Sequence, residues 1–196
     1  MALAEETASD RDKAPNPKGE ITLGPVLFNW TLERWRDFYF GIADAPAIAT
    51  VYLGEVICSK RAPFFEPLYE EVIERLQAGG KTVVLSTLAE VMLRHDRQMI
   101  ESVCSAHDLL VEANDASALF HLSGRPHQIG PFLNAYNERT VAMLARNGAR
   151  SVCLPSEMRA AAIRALCERT RDLGVTTETS QSRASPKAPA PARSTR

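Results

Sequence analysis

The feature that most limits what this chain can fold into is a repeated alternation of short apolar runs with helix-patterned stretches. The runs lie at 21–27, 49–53, 82–85, 109–111, 127–133 and 151–154. The first is interrupted by Gly24-Pro25, a local irregularity in an otherwise strand-like segment. Between the runs, apolar residues recur at helical spacing. Leu32, Trp35, Phe38, Tyr39 and Ile42 mark one face of a helix over 30–43. Pro63 opens a second over 63–76, and Gly79-Gly80 follows its end. Further helices are predicted over 88–103, from Asn114 or Asp115 to Leu122, over 137–146 before Asn147-Gly148, and from Ser156 to about Leu173 before Gly174. This makes roughly six strand–helix units, one every 25 residues or so.

The apolar runs show no clear alternation, which predicts strands covered on both faces and therefore a parallel sheet. Right-handed crossovers then leave two architectures, a doubly wound sheet or a (β/α)8 barrel. No G-x-G-x-x-G follows the first strand and there is no P-loop, so the barrel is favoured. A closed barrel needs eight units and about 250 residues. The expectation is an α/β fold of the TIM-barrel type, incomplete, with about six units spanning 21–176. A polar leader over 1–20 and a tail over 177–196, rich in Ser, Pro, Ala and Arg, are expected to be disordered. The abrupt change into that tail is the pattern of a truncated or frame-shifted chain.

Composition narrows the function classes. The 196 residues are 45% hydrophobic and carry a formal net charge of −1, so no basic surplus points to nucleic acid. No stretch approaches the ~18 apolar residues of a membrane span, and 1–20 lacks the apolar core of a secretory signal. Cys58, Cys104, Cys153 and Cys167 form no C-x-x-C pair. A cytoplasmic protein with free thiols is expected.

Ligands in parallel α/β folds bind where strands lead into helices. That rule selects Cys58, Glu112, Asn134, Tyr136 and Glu157 as candidates. Positive neighbours such as Lys60 and Arg61 favour the thiolate form of a cysteine, which is both nucleophile and metal ligand. A lone cysteine can equally be a small half-buried hydrophobe. The four polar residues can bind substrate, or satisfy loop backbone and helix N-termini. His107, His121 and His127 are poorly placed to serve Cys58 as a base. Cys104, Cys153 and Cys167 read as packing residues, and His95-Asp96 as a solvated helix face.

Six blocks together resemble one known family. They are LGPVLFNW (23–30), YLGEVICSKR (52–61), VLSTLAEV (84–91), VEAND (111–115), FLNAYN (132–137) and CLPSEM (153–158). In order and spacing the chain over 21–177 is similar to the U-thirty-two peptidase-like family, and to its ubiquinone-biosynthesis branch in particular. The resemblance implies an iron–sulfur accessory protein for oxygen-independent ubiquinone biosynthesis, supporting anaerobic ring hydroxylation of a ubiquinone precursor. It implies a heterodimer with the paralogue UbiU and a lipid-carrier-like third component, UbiT. It further implies a [4Fe-4S] cluster on four cysteines, of which Cys58 matches the first. The three late ligands of the family pattern have no counterpart here. Cys153 matches a position that is not a ligand, and Cys167 lies before the region where the late cysteines belong. Alternatives are a peptidase-like or RNA-base-modifying member of the family, or an inactive fragment that keeps a partner-binding surface.

Overall fold

The structure, a computed structural model, describes residues 19–179. It is a mixed α/β fold in which seven parallel strands form a curled half-barrel alternating with helices, an incomplete β/α barrel. The strands are β1 (Ile21–Leu23), β2 (Ile48–Leu53), β3 (Thr82–Ser86), β4 (Leu110–Ala113), β5 (His127–Ile129), β6 (Ala149–Leu154) and β7 (Thr176–Thr179). They lie side by side in chain order, each parallel to the last. The helices are α1 (Leu32–Ala43), α2 (Ala62–Phe65), α3 (Tyr69–Ala78), α4 (Arg94–Cys104), α5 (Ala116–Leu122), α6 (Glu138–Arg146) and α7 (Ala160–Thr170).

The strands do alternate, and the register shows how. Val51, Leu53 and Val83 face outward and pack with Trp35, Tyr39, Phe65, Val72 and Leu76. Val111, Ile129, Val152 and Leu154 do the same with Ile100, Leu122, Val141, Leu144 and Leu166. The residues between them point to the concave side, in the paired rows Tyr52↔Val84, Ser86↔Glu112↔Gln128↔Ser151 and Cys153↔Glu178. Apolar burial thus lies between sheet and helices, while the concave side is largely polar. First and last strands come within reach across it: Thr22 Oγ1 donates to Glu178 Oε2 at 3.2 Å.

The apolar layer falls into two clusters. The first centres on Trp35, whose ring lies 4.7 Å from Tyr39 and 5.2 Å from Phe65. Tyr39 is fully buried, and its hydroxyl accepts from the Val26 N–H at 3.1 Å. The second cluster lies over β4 to β6. Between α3 and α4 the layer is open, leaving a cavity of ≈ 400 Å³ lined by Leu53, Leu85, Tyr69, Met99 and Val103 among others.

Several boundaries differ from expectation for physical reasons. The helix expected over 88–103 begins at Arg94, because the Asp96 carboxylate accepts the N–H groups of Met92 and Leu93 and sets its first turn. The helix expected over 63–76 is broken at Pro67 into α2, a 3-10 turn and α3. The strand expected over 127–133 ends at Ile129, since Pro131 has no N–H to offer a ladder. A seventh strand, β7, runs through Thr179, so Thr177 and Glu178 belong to the sheet. The remainder of the expected tail, 180–196, and residues 1–18 of the expected leader lie outside the described residues.

Gly148, at the turn into β6, has φ +108°, and a Cβ there would sit 2.3 Å from the Arg125 carbonyl oxygen. Gly148→Ala therefore forces both an unfavourable φ and a backbone clash. The expected loss is roughly 1–3 kcal/mol, read as a lower urea midpoint at unchanged slope; an unchanged midpoint would contradict this account of the turn.

Candidate functional site

At the carboxyl ends of the strands the concave side opens into a cavity of ≈ 310 Å³, with Tyr52, Glu112, Asn114, Cys153 and Glu178 in its wall. Two carboxylates organise it. Glu178 Oε1 accepts from the Tyr52 hydroxyl at 2.8 Å and from Ser151 Oγ at 2.6 Å, and Oε2 accepts from Thr22. The Tyr52 hydroxyl also touches the Gln128 side-chain amide. Burial, reinforced by Glu178, pushes the Tyr52 hydroxyl far above its ordinary pKa, so it remains a donor.

Glu112 is 6% exposed. Its Oε2 accepts from Ser86 Oγ at 2.6 Å and from Asn114 Nδ2 at 2.9 Å. Burial raises its pKa; the two hydrogen bonds oppose this and the charge of Glu178 adds to it. Thr87 fastens the same strand end, donating to the Glu112 carbonyl and accepting the Asn114 N–H, both at 3.0 Å. The sequence-selected Glu112 therefore faces the cavity rather than capping a helix. Phe132 and Pro131 form part of the rim.

Cys58 lies in the loop between β2 and α2, half-buried. Three ties hold that loop. Glu55 Oε1 accepts the N–H groups of Ile57 at 2.9 Å and Cys58 at 3.0 Å. Arg61 forms an ion pair with Glu55 at 3.3 Å and donates to the carbonyls of Leu27 and Phe28, both at 3.0 Å. Ser59 Oγ donates to Asp96 Oδ1 at 2.6 Å, and this bond and the backbone N–H groups hold Asp96 below the usual carboxylate range. Arg61 thus serves Glu55 and the first strand-end loop. Asp96, expected on a solvated face, is buried and joins two loops.

The other candidates form an outer pair. The Tyr136 hydroxyl donates to Glu157 Oε1, which lowers the pKa of the carboxyl and raises that of the phenol. Both side chains are exposed, and neither lines the cavity. Asn134 follows the 3-10 turn with φ 53°, exposed, and is a turn residue by its geometry. Structure brings Tyr136 and Glu157 together but does not join them to Glu112.

The cysteines do not converge. Cys104 ends α4, buried, and burial pushes its thiol up to about 11 against the opposing charge of Arg125. Cys153 faces the cavity from β6. Cys167, on α7, has its sulfur 3.1 Å from Thr177 Oγ1. Among the described residues no group of three or more His, Cys, Asp or Glu side chains could hold a metal ion. A [4Fe-4S] centre takes four thiolates, so the cysteines present do not fit one. His127 is fully buried, its Nδ1 donating to the Arg125 carbonyl at 2.7 Å, and burial lowers its pKa. It faces the helix layer and offers Cys58 no base.

Sequence reasoning missed Tyr52, Glu55, Asp96 and Glu178. Tyr52 was masked as one more β-former in ATVYL, and Glu178 fell in the segment assigned to the tail. Only Glu55 carried a signal, its place at the strand end directly before the Cys58 loop. No family model matches the chain.

Removing Arg61 leaves the Glu55 carboxylate, 3% exposed, without its cation. Breaking a fully buried pair costs roughly 3–5 kcal/mol; Arg61 keeps 21% of its side chain in water, so the cost falls below that range. Arg61→Ala is expected to speed proteolytic cleavage within 55–61 while leaving the circular dichroism spectrum unchanged. Equal cleavage rates would show that Arg61 does not hold the loop.

Proposed function

We propose that this chain is the barrel portion of an accessory protein for oxygen-independent ubiquinone biosynthesis, similar to UbiV, that works as a heterodimer with UbiU and with UbiT as a further partner. One observation carries the reading. The blocks YLGEVICSKR, VLSTLAEV, VEAND, FLNAYN and CLPSEM are separate in sequence, yet each spans the carboxyl end of one strand or the loop beyond it. The residues that carry the resemblance therefore share one rim, the rim at which ligands and partners of β/α barrels are met.

In this reading Cys58 is the cluster ligand that the chain offers at that rim. Because Cys104, Cys153 and Cys167 lie elsewhere, the chain acts as scaffold and partner-binding surface, and no chemical step is assigned to a cluster. A cytoplasmic site of action is part of the same proposal; among the described residues no helix is long and apolar enough to cross a membrane. The peptidase-like reading ranks below this one: among the described residues that line the cavity there is no histidine to serve Cys153 as a base.

The test is complementation of a strain lacking UbiV, grown without oxygen, with UbiU tagged. Expected results are co-purification of the chain with UbiU and restored ubiquinone. Cys58→Ala is expected to keep UbiU binding, as a scaffold role requires. Iron measured on the anaerobically purified chain alone should fall well below the four atoms of a full cluster. Failure of the chain both to retain UbiU and to restore ubiquinone would defeat the reading.

A further inference from the structure

The concave side of the sheet gathers negative charge without a described counter-charge. Glu112 and Glu178 both line its cavity, and among the described residues in the wall there is no Lys, Arg or His. Arg61, on the loop after β2, is committed to Glu55 and to the carbonyls of Leu27 and Phe28. The donors of Glu178 are three hydroxyls, none of them a cation. The one on Oε2, from Thr22, stands at 3.2 Å, long for an O–H···O bond. Glu112 takes both its donors on Oε2, and among the described residues Oε1 has none. Asn114, in the same wall, is 2% exposed and its Oδ1 has no hydrogen-bond partner. The two carboxylates also work against each other, because the charge of Glu178 adds to the raised pKa of Glu112. A cation in the cavity offsets both. A guanidinium suits it best, with five N–H donors in a planar fork and no acceptor.

The chain carries such groups where its own sequence leaves the cavity. Thr179, the last described residue, lines the wall. Beyond it, 180–196 reads SQSRASPKAPAPARSTR, with Arg183, Lys187, Arg193 and Arg196 and no Asp or Glu. Arg183 stands four positions past Thr179. Four residues span at most about 14 Å, so its side chain is tethered within reach of Glu178. A short tether sets an effective concentration on the order of millimolar, which favours this cation over a free one.

We propose that the concave cavity is a site for guanidinium and ammonium groups, and that its occupant is segment 180–196 of this same chain, with Arg183 set against Glu178 and Glu112. The inference goes beyond the proposed function and does not depend on UbiU. The segment covers the polar face that the incomplete barrel leaves without a partner. Any other ligand of the cavity competes with a tethered cation.

Cys153 lines the cavity and reports its occupancy; Cys167, on α7, is the reference. Labelling with N-ethylmaleimide, located by mass spectrometry, compares the parent with a variant carrying Arg183→Gln, Lys187→Gln, Arg193→Gln and Arg196→Gln. Cys153 should react roughly tenfold faster in the variant, the factor for loss of one charge-assisted hydrogen-bonded contact, with Cys167 unchanged. In about 1 M salt, where the Debye length is about 3 Å, the parent should approach the variant. A synthetic peptide of sequence 180–196, added to the variant, should slow Cys153 again. Equal Cys153 rates in parent and variant, or no effect of the peptide, overturns the proposal.

Two further arms fix the chemistry and the source. Nα-acetyl-arginine amide should protect Cys153 in the variant and the uncharged Nα-acetyl-citrulline amide should not; equal protection overturns the guanidinium assignment. The parent rate should be independent of protein concentration. A rate that falls as concentration rises assigns the site to the segment of a second copy and overturns occupancy within one chain. All these readings use the chain alone, so their failure is separable from failure of the UbiU reading.

Discussion

The Glu178 carboxylate is the contact on which the shape of the molecule rests. It accepts hydroxyl donors from β1, β2 and β6 while belonging to β7. A twisted parallel sheet of seven strands could stay open, with its ends far apart. One charged group bonded to strands at both ends keeps the sheet curled, and the concave side becomes a lined cavity instead of an exposed face. The donors are hydroxyls, which satisfy the charge without supplying an opposite one. The cavity therefore stays acidic, and the pKa shifts of Tyr52 and Glu112 both carry a contribution from Glu178.

The loops above that cavity are held by the same economy of means. Glu55 accepts two backbone N–H groups and pairs with Arg61, which in turn grips the first strand-end loop. Asp96 starts a helix and receives Ser59. The Ala89 N–H donates to the Val56 carbonyl at 2.8 Å. Three successive strand ends are thereby joined, and Cys58 sits among side chains whose job is to fix backbone. Its half-buried position is what that framework produces, whatever further ligand it meets.

The strand–helix rhythm was legible because it depends on local patterning: Trp35 and Tyr39 on one helix face, glycines after helices, short β-rich runs. The sheet is parallel as expected, but the premise used to reach it, strands covered on both faces, does not hold, because every second residue faces the polar concave side. The alternation within strands was not legible, since a run such as SVCL hides an inward Ser151 and Cys153 between outward valine and leucine. Glu112 was reachable by the strand-end rule, because the rule reads position. Glu178 and Asp96 were not, because an acidic residue among polar neighbours looks solvated until distant hydroxyls and N–H groups arrive. Tyr136 and Glu157 met through loop geometry that spacing does not encode. Cys153 looked like core because sequence does not say which side of a strand faces the helices.

The division of the apolar layer gives the polar centre a mechanical meaning. Trp35 and its neighbours consolidate one part of the chain, and the cluster over β4 to β6 consolidates the other. The opening between α3 and α4 leaves little side-chain cement where they adjoin. Crossing that seam are the β3–β4 ladder and the bonds of Ser86 and Thr87 to Glu112 and Asn114, with the Glu178 bonds to Thr22 and Tyr52 and the Ser59–Asp96 bond joining the same two parts elsewhere. The groups that line the cavity are therefore also the rivets between two cooperative blocks, and a ligand that tightens them would stiffen the whole molecule from its centre.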